Sequence, residues 1–280
     1  MFLSATASAP GKAILFGEHA VVHGVTAIAA ALSDLRIFAD ITLKPGRSEL
    51  VATFSDVTPI GDDGEAKPIV VSFEKLQQAM PYNADPNTAI HPDKDQQQTL
   101  SVKFAEADPI STQGIVTVAY LVANILSDVV WNKLYGTYDI EITIKSHGLP
   151  IGAGLGSSAA FSVAVAGACI KLLKSMDIRD IRLPPVDSGV ASMLGTGTAN
   201  NIDTDDGWIL PDSDVLPIIN DWSYAAEILN HGNPSGLDNA TSCYGGLVKF
   251  NKTTNGQSTF EKITQVPSLY ILLTNTKVRV

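Results

Sequence analysis

The chain has two cysteines in 280 residues, Cys169 and Cys243, and neither has another ligand-type neighbour at metal-binding spacing. That excludes a disulfide framework or a cysteine-rich metal knuckle and fits a reducing, intracellular setting. Basic residues are also scarce: 19 Lys and Arg stand against 29 Asp and Glu, for a net charge of −10. A field of that sign repels polyanions, so no nucleic-acid partner is expected, and any anionic ligand must meet a locally positive pocket. No uninterrupted apolar run reaches the roughly 18 residues a membrane span needs. Met1–Ser8 lacks the basic start and apolar core of a secretory leader. A soluble, cytoplasmic protein without a membrane partner is expected. No internal repeat is visible. Hydrophobic residues are plentiful, at 45%, enough for the core of one large domain or two ordinary ones.

Glycine is concentrated where it is most informative. Pro150 to Ala160 reads Pro-Ile-Gly-Ala-Gly-Leu-Gly-Ser-Ser-Ala-Ala, with Gly152, Gly154 and Gly156 in five residues, after an alternating strand and before an alanine-rich helix. Such a loop lets backbone N–H groups and the positive end of a helix approach an anion, which points to a phosphate-bearing ligand. It does not end in the Gly-Lys-Ser/Thr of the P-loop, and its glycines are not spaced as in the dinucleotide fingerprint. Ser157 and Ser158 stand where that Lys would be. Their hydroxyls can ligate Mg²⁺ or donate to a phosphate oxygen, and they can equally serve as N-caps.

Around the loop, Ala27–Leu43 reads as a strand, periodicity predicts a helix with one buried face over Gly114–Gly136 and a strand over Tyr138–Lys145, and an Ala- and Gly-rich helix follows the loop over Ser157–Lys174. Asp221–Asn230 reads as a helix capped by Asp221 and stopped by His231-Gly232. Pro10-Gly11-Lys12 reads as a turn before a short apolar run, Ala13–Phe16. Two stretches, about 45–113 and 177–217, read as irregular excursions, with Pro81–Leu100 a long surface loop. Leu269–Thr274 reads as a buried strand.

The polar residues that stand beside Gly or Pro, or inside apolar elements, are Lys12, Glu18, His19, Ser157, Ser158, Glu227 and Asp238. Phosphoryl transfer needs a metal held by a carboxylate, a cation or dipole on the moving group, and a carboxylate that orients the nucleophile. This set contains each part. Asp238 follows a Pro-Ser-Gly turn able to fold it back toward Glu227.

Four stretches carry a family resemblance. Ala9–His19, Ala-Pro-Gly-Lys-Ala-Ile-Leu-Phe-Gly-Glu-His, resembles the first motif of the GHMP small-molecule kinases, and Pro150–Ala160 resembles their second, the ATP phosphate loop. His231–Asn239 and Thr274–Val278 are similar to the mevalonate kinase branch of eukaryotic type. The resemblance implies an α+β fold: a ribosomal-protein-S5-like N-terminal, ATP-binding domain over residues 1–265, and the start of a ferredoxin-like C-terminal domain at 266–280. Relatives run on past this point through a third, glycine-rich motif.

It implies ATP and Mg²⁺, with mevalonate as the small-molecule substrate on the way to isoprenoids and sterols. Gly152, Ala153, Gly154, Leu155, Gly156, Ser157 and Ser158 would bind ATP. Asp238 would be the catalytic carboxylate, assisted by Lys12, with Ser158 and Glu227 on the metal. Lys12, Glu18, His19, Asp238 and Thr276 would face the substrate. Phe161 stands where relatives often carry Tyr, which removes a hydroxyl from the substrate side. Two other readings stand beside this one: a module that binds nucleotide or metabolite without turnover, and a kinase for another small alcohol. Oligomeric state is open between monomer and homodimer.

Overall fold

The structure is a computed structural model that describes residues 3–18, 20–55, 66–80, 82–106, 108–176, 214–252 and 258–263. His19, Thr276, the strand expected at 269–274 and most of the second excursion, 177–213, lie outside the described residues.

One sheet organises the chain. Its strands are β1 (Ser4–Phe16), β2 (Ala27–Pro45), β3 (Glu49–Phe54), β4 (Ile69–Ser72), β5 (Tyr138–His147), β6 (Leu247–Lys252) and β7 (Ser258–Ile263). Among the described residues the order is β4-β3-β5-β2-β6-β7, with β1 along the other edge of β2. The pairs are antiparallel except β3 with β5, which is parallel. The 19-residue β2 is the spine: its N-terminal end pairs with β6, its C-terminal half with β5, and its opposite edge with β1. The alternation read from the sequence appears directly in burial. Ile37, Ala39, Ile41 and Leu43 of β2, and Ile140, Ile142 and Ile144 of β5, point into the core.

The helices are α1 (Phe73–Ala79), α2 (Lys94–Lys103), α3 (Pro109–Ile125), α4 (Ser157–Ser175), α5 (Leu216–His231) and α6 (Leu237–Tyr244). α4 packs on β1 and β2 and touches α3, α5 and α6, so it is the central helix. Its small residues permit this: a Cβ on Gly167 would lie 3.2 Å from the Cβ of Ala7 on β1. At 19 residues α4 is long and apolar enough to cross a membrane by composition, although its longest uninterrupted apolar run is only Val163–Ile170. In this fold it is a core helix, with Ala164, Val165, Ala168, Cys169 and Leu172 fully buried.

Five expectations are corrected. The stretch 45–113 is not irregular: it carries β3, β4, α1, α2 and the start of α3. β3 alternates Leu50, Ala52 and Phe54 into the core, and the polar residues that suggested a loop act as caps. Ser72 accepts from Lys75 N–H, Asp93 forms a capping box with Gln96, and Asp108 accepts from Ser111 N–H. The connection between α1 and α2 is pinned by tertiary bonds, since Trp222 Nε1 donates to Pro86 O at 2.7 Å, Tyr120 donates to Ile90 O, and Asn83 N–H donates to Ser127 Oγ.

The helix expected over Gly114–Gly136 begins at Pro109, ends at Ile125 and turns by 78° into a second helical segment, Ser127–Leu134, whose last five residues form a π-turn. Asp221 is not a cap, because α5 starts earlier at Leu216-Pro217, with proline in its first turn. Asp221 meets His91 instead, Oδ1 to Nε2 at 3.2 Å. Residues 214–217 therefore belong to a helix start rather than to an excursion. Pro10-Gly11-Lys12 is no turn: it lies inside β1, at a register shift between Pro10 and Gly11.

Trp222 is fully buried, stacks edge-on against Tyr120 at 6.2 Å and holds the α1–α2 connection through its indole N–H. Trp222→Ala is expected to lower the free energy of unfolding by about 3–5 kcal/mol. Equilibrium urea denaturation checks this, and a loss below about 1 kcal/mol would mean the ring does not anchor that connection.

Candidate active site

The glycine loop leaves β5 through a tight turn. Ser146 Oγ donates to Leu149 O at 2.6 Å, and Leu149 is buried. Gly152, Gly154 and Gly156 then take φ of 73°, 75° and 70°, so alternate residues are left-handed, a conformation strained for any residue with a Cβ. A Cβ at Gly152 or Gly154 would meet nothing within 4 Å: these two are glycine for backbone conformation, and the space over them is open. At Gly156 the reason is proximity as well, because a Cβ there would stand 2.7 Å from Lys12 Cγ. Gly156 is also the N-cap residue of α4 and makes no side-chain cap. The N-cap reading of the serines is thus set aside: Ser157 and Ser158 are the first two residues of the helix.

β1 is fastened to this loop. Lys12 N–H donates to Leu155 O at 2.8 Å. The approach requires Gly11, where a Cβ would fall 2.5 Å from Leu149 Cδ1 and 2.8 Å from Leu155 O. The Lys12 side chain passes beneath Gly156 and reaches Asp238, with Nζ to Oδ2 at 3.2 Å. Lys12 is 5% exposed, whereas the Asp238 side chain is 39% exposed, so the pair has a buried cation and an accessible carboxylate.

Asp238 sits in the first turn of α6, after Gly236 with φ of 85°. Ser235 Oγ accepts from Leu237 N–H at 3.2 Å, Tyr224 packs on Gly236, and buried Asn239 donates to Asn220 Oδ1 at 2.9 Å. These contacts hold the Asn233–Asn239 segment against α5.

Glu227, on α5, is 5% exposed. Its Oε1 accepts from Ser158 Oγ at 2.7 Å and from Ser162 Oγ at 3.2 Å, while its Oε2 lies 3.5 Å from His231 Nε2, one turn along the same helix. Burial pushes the Glu227 carboxyl up from the ordinary glutamate range. The two serine hydrogen bonds and His231 pull it back, and the nearby charge of Asp238 adds to the rise. Asn230 donates to Thr117 Oγ1 at 3.2 Å and lies 3.5 Å from Ser158 Oγ. It also lines a cavity of about 420 Å³ between α2, α3 and α5, with Ser101, Glu106, Thr112, Gln113 and Val116.

Of the sequence-derived residues, the structure thus brings Lys12, Gly156, Ser158, Glu227 and Asp238 into one cluster, with Gly152–Leu155 on its open side. Glu18 follows Gly17, whose φ of 84° turns the chain at the end of β1, and is exposed. Phe161 packs on Phe54, ring centres 5.9 Å apart. Ser162, Asn230 and His231 were not among the sequence candidates. The signal was present in two cases: Ser162 is four residues from Ser158 and His231 four from Glu227, the spacing that puts helix residues on one face.

Residues 116–184, which span the glycine loop and α4, match the GHMP kinases N terminal domain. Mevalonate kinase of Mus musculus is 33% identical over 274 residues, 97% of this chain and 58% of the mouse protein. Mevalonate kinase of Dictyostelium discoideum is 35% identical over 273 residues, 97% and 59% of the two chains. A putative sugar kinase from Campylobacter jejuni has the same fold, with a TM-score of 0.50 at 11% identity over 94% of this chain and 59% of that one. The chain is similar to the GHMP kinases, by the match over residues 116–184, and has an α+β fold. It is related to the mevalonate kinases and spans somewhat under two thirds of the length of these relatives.

The donor set fits the Mg²⁺ that such a kinase implies. Ser158 and Glu227 offer hard oxygen ligands, and two carboxylates near each other with one held high by burial favour a cation between them and the loop. Among the described residues no group of three or more His, Cys, Asp or Glu side chains forms a protein-only metal cage.

A raised carboxyl pKa has a stability consequence with a defined sign. Between the unfolded and folded pKa values of Glu227 the folded chain binds more protons, so stability falls as pH rises through that window, and the ionised carboxylate is a net cost at neutral pH. Glu227→Gln keeps an acceptor for both serines and removes that cost. Its thermal midpoint at pH 7 should rise above the parent's, and the difference should shrink as pH falls through the ordinary carboxylate range and the parent's carboxyl becomes neutral. Calorimetry at pH 7 and within that range checks this, and a lower midpoint at pH 7 refutes it.

Proposed function

We propose that the chain carries the ATP-binding half of a kinase that transfers the γ-phosphoryl of ATP to the primary hydroxyl of mevalonate, giving 5-phosphomevalonate and ADP. The observation that carries the reading is the buried Lys12 joined to the accessible Asp238 at 3.2 Å beside a glycine loop opened for an anion. The substrate comes from the likeness to mevalonate kinases over 97% of the chain.

In this reading the backbone N–H groups of Gly152–Ser157 and the positive end of α4 bind the phosphates of ATP. The cavity beside Asn230 falls within the size range of small-molecule pockets and gives the nucleoside a place next to Ser158. Ser158 and Glu227 would hold Mg²⁺, which when bound neutralises phosphate charge and steadies ATP for in-line displacement. Asp238 accepts a hydrogen bond from the mevalonate hydroxyl and takes its proton as the oxygen bonds to the γ-phosphorus and the bond to the β-phosphate oxygen breaks. Lys12 holds the Asp238 carboxylate in place, and its buried ammonium stabilises negative charge developing on the transferring group. Glu18, with His19 and Thr276, is assigned to the substrate side. The setting proposed is the cytoplasm.

Replacing Asp238 by Asn preserves shape and removes the base. Turnover should fall by roughly 10² to 10⁴, with the KM for ATP little changed, in a coupled assay of ADP release with mevalonate. Undiminished turnover removes Asp238 from the chemistry. ATP binding by calorimetry with no ADP produced in the unaltered chain favours the binding module instead, and faster ADP release with another alcohol than with mevalonate reassigns the substrate.

A further inference from the structure

Two hydroxyls donate to the same oxygen of the buried Glu227, and their surroundings differ. Ser158 Oγ reaches Oε1 at 2.7 Å from the second residue of α4, half-buried beside the open loop. Ser162 Oγ reaches the same atom at 3.2 Å from one turn further along, where the residue is 0% exposed. The other oxygen, Oε2, faces His231, whose side chain is 51% exposed and can move aside. A ligand at the loop can claim the Ser158 oxygen. It cannot claim that of Ser162, which lies a full turn deeper in the core.

We propose that Ser162 is a positioning residue for Glu227: it keeps hold of Oε1 when Ser158 turns to the metal or to a phosphate, so that the carboxylate holds one orientation with and without ligand. This rests on the reading of Ser158 and Glu227 as Mg²⁺ ligands. The physical reason is that a buried carboxylate oxygen left without a donor is costly, so the carboxylate reorients to find one. One permanent donor removes that choice. Groups of this kind behind a metal ligand set its aim and basicity, and their loss weakens metal binding without removing a ligand.

The test is a double-variant cycle read by Mn²⁺ binding, with free Mn²⁺ followed by electron paramagnetic resonance in the presence of ADP. Ser162→Ala is expected to weaken Mn²⁺ binding by roughly tenfold or more, and to change it by less than about twofold when Glu227 is already Gln. The same loss in both backgrounds would mean a general structural effect and would overturn the proposal, as would a loss below about twofold in the single variant. Ser162→Cys retains the volume with a weak donor and carries the same comparison, with melting curves to establish that each variant is folded. If Glu227→Gln itself leaves Mn²⁺ affinity unchanged, the metal assignment falls and this inference with it. If Glu227→Gln weakens Mn²⁺ while Ser162→Ala does not, only the role of Ser162 falls.

Discussion

A buried lysine governs the arrangement. Taking an ammonium out of water is expensive unless a partner and a fixed position compensate, and Lys12 has both: Asp238 at 3.2 Å and a channel beneath Gly156. Three parts of the chain far apart in sequence must agree for this to hold. β1 needs Gly11 so that it can press against Leu149 and Leu155; the loop needs Gly156 so that the side chain can pass; and α6 must begin at Gly236 so that Asp238 stands at its first turn. Each of the three motif glycines therefore answers to a neighbour or a dihedral angle, not to general flexibility.

The second carboxylate obeys a different balance. Glu227 is as buried as Lys12 but has hydroxyls and a partly exposed histidine around it rather than a direct cation partner. Burial and Asp238 push its carboxyl up while the hydroxyls draw it down. In the proposed reading, this buried anion near a second one, beside the open glycine loop, would attract a cation brought in with a polyphosphate. The acidic protein as a whole does not oppose this, because the field that a ligand meets is the local one of Lys12, the loop amides and the end of α4.

Legibility in the sequence varied with the kind of signal. β5 was readable because one face of it is buried and the other is not, so its period of 2 was written in residue type, whereas α4 is buried on nearly every side and was readable from its Ala- and Gly-rich run after the glycine loop. The stretch 45–113 was misread because its polar residues look alike whether they solvate a loop or cap a helix. Asp93 and Asp108 do the latter, and only the neighbouring chain reveals it. Asp221 was misassigned for the related reason that an aspartate before apolar residues signals a helix start, while Pro217 had already begun α5 and left Asp221 free to meet His91. Pro10-Gly11-Lys12 looked like a turn because that composition usually is one, but here Gly11 serves a close crossing of strand and loop.

The amino-acid sequence by itself determined the chemistry available: a loop whose glycines admit left-handed backbone, a lysine after Pro-Gly, and carboxylates at Glu227 and Asp238, since these follow from residue type and local spacing. Only the tertiary structure decided who meets whom. That Lys12 pairs with Asp238 rather than Glu227, that Ser158 and Ser162 share one oxygen, and that Asn230 joins the loop to a cavity all depend on how α4, seated on β1 and β2, packs against α5 and α6. Contacts between residues tens to hundreds of positions apart are set by packing of buried faces, and packing has no period that a single sequence displays.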